Sequence, residues 1–210
     1  MRNPWLDIPE VDYVGHMSSP AVNQRSVLSR LMGDALESAR PRTMLVLGGS
    51  TGNGLEHVNP DVTSRVTVVD LNPAYLRRLG ERFPHPGFGL EVRCADLADV
   101  VLEPEAFDLV HAGLVFEYVE WPLLLPRVAT TLRPHGVLSV VLQLPSASSP
   151  AVTPTTFSSL RSLESLFRFV EPGALVEAAR GERLTLTNRR TESLPAGKAF
   201  EVLRFVKDAM

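Results

Sequence analysis

The sequence holds a single cysteine, Cys94, in 210 residues. No internal disulfide is available, so packing must hold the fold. Lying in a stretch of alternating apolar residues, this thiol is expected to be buried and inert. A lysine- or arginine-rich run is also missing, and the formal net charge is -3. That balance argues against nucleic acid or an anionic membrane as the main partner and leaves a small molecule as the expected substrate. No uncharged run reaches the length of a membrane span, and the opening MRNPWLDIPEVD carries acids and prolines where a signal peptide needs an apolar core. A cytoplasmic protein is the expectation. The histidines lack metal-ligand spacing, so no metal is expected, and nothing in the sequence speaks to oligomeric state.

What is present is a 44% apolar chain, enough for one full core. Residues 1–18 form an arm without sustained periodicity that nevertheless carries Trp5, Tyr13, His16 and Met17. From Ser19 and Pro20, a cap followed by a first-turn proline, apolar residues recur at helical spacing to Ala39. Residues 19–210 then read as one domain. Strands are expected at 44–47, 65–70, 88–94, 107–112 and 137–144, separated by helices near 53–58, 73–83 and 122–132, the last interrupted by Pro126. A turn is expected at Arg133 to Gly136. Further on, a proline-, serine- and threonine-rich loop spans 145–156, helices follow around 160–167 and 172–180, and two strands, 183–188 and 199–207, close the chain across Pro195 and Gly197. The alternation implies an α/β fold: a doubly wound, mostly parallel, seven-stranded sheet with an antiparallel strand at the C-terminal end and helices on both faces.

Ligands of such sheets bind beyond the carboxyl ends of the strands, near the point where strand order reverses. Four glycines, Gly48, Gly49, Gly52 and Gly54, follow the first strand, and only glycine lets backbone approach a ligand so closely. Ser50 and Thr51 stand among them. Asp70 with Leu71, Asp96 with Leu97, and Ala112 with Gly113 end the next strands. A carboxylate at Asp70 suits a ribose diol, although it also suits a helix cap.

This order of features resembles a class I S-adenosylmethionine-dependent methyltransferase, small, single-domain and Rossmann-like. LVLGGSTGNGLEHV is similar to that family's first motif, VVDLNP to its second, CADL to its third, FDLVHAGLVFEYV to its fourth, and TTLRPHGVLSVV to the approach to its fifth strand. The resemblance implies S-adenosyl-L-methionine as cofactor and S-adenosyl-L-homocysteine as product. It further implies that backbone from Gly48 to Gly52 cradles the methionine part, Asp70 holds the ribose, and Asp96 with Leu97 reads the adenine. Val46 and Ser50 depart from the family, which often has an acid and a glycine there.

GGSTGNG also fits the glycine spacing of NAD(P)-dependent short-chain dehydrogenases. Their Tyr-x-x-x-Lys pair is absent, because the residues four places after Tyr13, Tyr75 and Tyr118 are Met17, Leu79 and Pro122. Methyl transfer needs alignment more than a catalytic signature. The candidates for proton transfer are therefore open: His16, Glu117 and Tyr118 as catalytic groups, with Tyr13, Met17, His111 and Gln143 as substrate or lid residues. Each has a plainer reading, such as a surface histidine for His16 or a helix-start carboxylate for Glu117. A cofactor-binding protein without catalysis stays open as well. Residues 1–18 and the 145–156 loop are expected to form a lid together.

Overall fold

The computed structural model describes residues 2–147, 149–194 and 197–209. Ser148 in the expected loop and Pro195 in the expected last connection lie outside the described residues. The valine-rich stretches become seven strands: β1 (Thr43–Leu47), β2 (Arg65–Asp70), β3 (Gly89–Cys94), β4 (Phe107–Gly113), β5 (Leu132–Gln143), β6 (Leu184–Ser193) and β7 (Ala199–Lys207). They form one sheet in the order β3-β2-β1-β4-β5-β7-β6. β7 runs antiparallel to both its neighbours, while β1 to β5 are parallel, as expected for the Rossmann-like architecture. The chain moves outward from β1 through β2 to β3, then returns to β4 on the other side. This reversal opens a crevice above the carboxyl ends of β1, β2 and β4.

Helices α2 (Gln24–Ala39) and α3 (Pro73–Arg82) cover one face, packing Met32, Ala35, Leu76 and Leu79 on Val46, Val66 and Val68. On the other face α4 (Trp121–Thr131) and α5 (Pro172–Gly181) bury Leu124, Val128, Leu175 and Ala179 against Val110, Val140 and Phe205. β1 and β5 are covered on both sides, which is why they read as unbroken apolar runs. Asn72 caps α3 through its side chain, accepting from Ala74 N at 2.9 Å, and Pro73 supplies the preset first turn.

Several expectations needed correction. The arm holds a 3₁₀ turn (Pro4–Asp7) and a true helix, α1 (Glu10–Ser18), whose nine residues are too few to show periodicity. Because α1 runs through Ser18, residues 19–23 are spent on the turn and α2 starts at Gln24 instead of Pro20. The helix expected at 53–58 is only a 3₁₀ turn at Leu55–His57, since left-handed Gly52 and Gly54 interrupt any continuous α-helix. α4 does not start late: it begins at Trp121 and continues through Pro126, whose missing donor removes one bond, to the Pro122 carbonyl. RPHG is a bulge inside β5, not a turn before it, with the register against β4 shifting between Phe107 and Leu109. Residues 158–165 are 3₁₀ helix. Cys94 is exposed, at the end of β3 on one edge of the sheet.

Candidate functional site

The first glycine turn is tied to the second strand: Gly48 N and Gly49 N both donate to the Val69 carbonyl, at 2.8 and 3.3 Å. Gly48 has a φ of 64°, and a β-carbon there would lie 2.6 Å from Val115 Cγ2. At Gly49 it would lie 2.2 Å from Val68 Cγ1, so packing forbids a side chain where conformation does not. Ser50 takes a left-handed φ of 46° where the resembled family prefers glycine. Its hydroxyl oxygen is buried against the Tyr13 hydroxyl, and that contact opposes the rise to about 12 that burial imposes on the tyrosine. A buried hydroxyl beside a glycine cradle suits a polar ligand.

Asp70 finishes this corner. One carboxylate oxygen accepts from Ser50 N and the other from Asn72 N, both at 2.8 Å. Burial raises its pKa, and these backbone donors oppose that rise. The carboxylate lies in the wall of the crevice.

These groups line a cavity of ≈ 830 Å³, open mouth included. Gly48, Ser50, Asp70, Leu71, Asp96, Leu97 and Gly113 form one side, and the arm contributes Trp5, Tyr13 and Met17 opposite, with Tyr118 beside them. A smaller adjoining recess is bounded by Gly49 and His111. Thr51, Gly52, Gly54 and Ala112 support the walls without forming them. Thr51 is buried and its carbonyl accepts from Arg82, while Ala112 belongs to the core. Asp96 caps its own turn, accepting from Ala98 N at 2.9 Å.

Of the groups expected to move protons, only Tyr118 reaches the cavity wall. Glu117 turns inward at 1% exposure: one oxygen accepts from Gln143 N at 2.6 Å and the other is buried without a partner. Burial pushes its carboxyl up to about 7. Gln143 continues this buried chain to Gln24 and to the Ala151 carbonyl. His16 is buried in α1, its Nδ1 3.0 Å from Thr155 Oγ1, and burial together with the charge of Lys198 lowers its pKa to about 4. His111 pairs through Nδ1 with Ser139 Oγ at 3.2 Å, and burial lowers it to about 4 as well.

Reading the sequence missed Asn3, Leu28 and Tyr75 in the wall, and Lys198 beside the loop. Tyr75 was findable, since it lies two residues after the second motif, in the first turn of α3; it stacks on Tyr13 at 5.3 Å. Lys198 carried no local signal.

The arrangement has recognisable counterparts. Residues 45–140 match the family model described as a methyltransferase domain. This part of the chain, from β1 into β5, is therefore similar to a methyltransferase domain. NodS, an N-methyltransferase from Bradyrhizobium japonicum WM9 solved with S-adenosyl-L-homocysteine, superposes with a TM-score of 0.68 at 19% identity, covering 91% of this chain and 89% of its own. The 1,6-didemethyltoxoflavin-N1-methyltransferase of Burkholderia thailandensis does so with a TM-score of 0.68 at 16% identity, over 100% of this chain and 92% of its own. The [4+2]-cyclase SpnF shares the fold too, with a TM-score of 0.66 at 13% identity, over 87% and 82% of the two chains. No curated protein sequence matches the chain. At such identities these likenesses establish the fold alone, and neither the activity nor the substrate.

Proposed function

We propose that this protein transfers the methyl group of S-adenosyl-L-methionine to a small-molecule acceptor. The observation that carries the reading is the convergence, in one cavity, of the Gly48 turn, Ser50, Asp70 and Asp96. Backbone at Gly48 to Ser50 would take the methionine part, Asp70 the ribose hydroxyls, and Asp96 with Leu97 the adenine. The bound cofactor supplies an electrophilic methyl on a sulfonium. What the chain itself does is bind, orient and exclude water, which suffices for an in-line displacement. Tyr118 is the candidate that can touch an acceptor. Glu117, held behind it through Gln143 N, is a positioning residue for the end of β5.

Residues 1–18 are read as a lid in partnership with the 145–156 loop and the residues just after it. Asp12 accepts from Ser159 Oγ at 2.6 Å, His16 meets Thr155, and Phe157 packs so closely on Gly15 that a β-carbon there would fall 2.3 Å from its ring. The arm and residues 155–159 thus share contacts and would move together.

Calorimetric titration with S-adenosylmethionine, S-adenosylhomocysteine and the nicotinamide dinucleotides tests the reading. Both sulfur nucleosides should bind and the dinucleotides should not; the reverse pattern overturns it. Asp70→Ala should weaken S-adenosylmethionine by roughly 1.5 to 3 kcal/mol, the worth of hydrogen bonds to a charged group. An unchanged affinity would remove Asp70 from the ribose. SpnF shows that this fold also supports other chemistry, so turnover must be measured beside binding.

A further inference from the structure

The recess that adjoins the main cavity differs from it in charge. Its walls include Tyr13, Leu28, Gly49, Ser50 and Asn53, and no aspartate or glutamate is among its described lining residues. Asp70 and Asp96 line the larger cavity only. Because Tyr13, Gly48 and Ser50 border both spaces, a ligand can run from one into the other along the glycine turn.

An unpaired cation stands at the rim of this recess. Arg25 precedes Leu28 by three residues in α2, which puts the two on one side of that helix. The main-chain carbonyl of Arg25 accepts from Asn53 Nδ2 at 2.9 Å, so the start of α2 is fixed to the glycine turn and the guanidinium is left free. That guanidinium is half-buried and makes no hydrogen bond or ion pair among the described residues. Its charge reaches two neighbours. Burial lowers the Arg82 pKa and Arg25 adds to that effect, although Arg82 is itself held by the Thr51 carbonyl and by Glu56 at 3.5 Å. Burial raises the Tyr13 hydroxyl to about 12, and Arg25 is among the groups that oppose the rise. Asp70 acts on the same hydroxyl in the opposite sense, but each of its oxygens already accepts a backbone hydrogen bond, from Ser50 N and Asn72 N. The charge left without a partner at this corner is therefore positive. Within its reach the Tyr13 and Ser50 hydroxyls lie against each other, and whichever donates to its neighbour, the other keeps a proton to give.

We infer that Arg25, Tyr13 and Ser50 form the subsite for the carboxylate of the cofactor's amino-acid tail, and that this carboxylate holds the arm shut by bridging Tyr13 of α1 to Arg25 of α2. This rests on the methyl-transfer reading above. The nucleoside end lies along Asp70 and Asp96, and the tail follows the Gly48 turn toward the recess, so each end of the cofactor meets its own partners. A carboxylate can accept from a guanidinium and a hydroxyl at once, through charge-assisted bonds stronger than neutral ones. Tyr13 belongs to the arm, Arg25 to α2 and Ser50 to the turn after β1, so one anion ties the arm to the body of the domain.

The test uses the full chain with S-adenosylhomocysteine, its decarboxylated form, and methylthioadenosine, which lacks the whole amino-acid tail. By calorimetry S-adenosylhomocysteine should bind roughly tenfold or more tightly than the decarboxylated form, as expected for hydrogen bonds to a charged group. Arg25→Met should remove most of that difference by weakening S-adenosylhomocysteine alone, and Arg25→Lys should restore part of it, with circular dichroism confirming that both variants fold. Amide hydrogen exchange reads the arm: S-adenosylhomocysteine should slow exchange in α1, the other two nucleosides should not, and Tyr13→Phe should reduce the protection. Equal binding of the parent and decarboxylated nucleosides, or a difference that survives Arg25→Met, overturns the subsite. Protection of α1 by methylthioadenosine as strong as that by S-adenosylhomocysteine overturns the closure. Failure of both S-adenosylhomocysteine and methylthioadenosine to bind would instead defeat the methyl-transfer reading.

Discussion

Glu117 shows how a single buried group can be tested apart from catalysis. Its carboxyl rises from the ordinary 4.5 to about 7 because burial disfavours the charged form more than the Gln143 backbone donor supports it. The unfolded chain therefore gives up this proton before the folded one does. Its contribution to stability is complete below pH 4.5 and drains away as pH rises to about 7, at up to about 1.4 kcal/mol per unit. Glu117→Gln has no such loss, so its stability relative to the parent should climb across that window and level off above it. Urea unfolding at several pH values measures this, and a difference independent of pH would mean the carboxyl is ionised throughout. Residue chemistry was half legible beforehand. Asp70 and the glycines announced themselves by position, whereas the inward turn of Glu117 depends on Gln143, which is 26 residues away.

Among the elements, the arm is where expectation and structure differ most. Its aromatic side chains were visible in the sequence, yet α1 was not, because nine residues give two turns and one face of them is taken up by Trp5, Tyr75 and Phe157. Helicity here follows from tertiary contact more than from local propensity. Removal of residues 1–17 should leave the seven-stranded sheet folded, by circular dichroism, and weaken cofactor binding or turnover; unchanged binding and activity would end the lid reading. Acid should loosen the same element. His16 falls from 6.5 to about 4 on burial next to Lys198, so its neutral form stabilises the arm fully above pH 6.5, and that support is lost as pH drops through about 4. Trp5 fluorescence should report release of the arm in that window, and His16→Gln should abolish the transition. The 3₁₀ turn at Leu55–His57 and the bulge in β5 teach a related lesson: a cap, a proline or a glycine marks a boundary, but the neighbours decide the geometry.

For the whole molecule, the reversal of strand order between β1 and β4 places the cavity, and the arm lies across it. Ligand should therefore stabilise the domain as a unit. S-adenosylhomocysteine at about 100 times its dissociation constant should add roughly 2.7 kcal/mol. For a chain of this length that is about 5 to 10 °C in Tm by scanning fluorimetry. A flat Tm would mean that the ligand binds the unfolded chain equally or not at all. By itself the sequence determined the sheet, its parallel and antiparallel parts, the glycine turn and the acids at the ends of β2 and β3. Those features follow from period, from glycine's freedom at φ > 0 and from motifs contiguous in the chain. Only the tertiary structure decided that Trp5, Tyr13 and Tyr118 share one cavity, and that His16 and Glu117 make their hydrogen bonds outside its lining. Such facts concern side chains brought together from distant segments, and pairwise packing across the sheet sets them where no local pattern can.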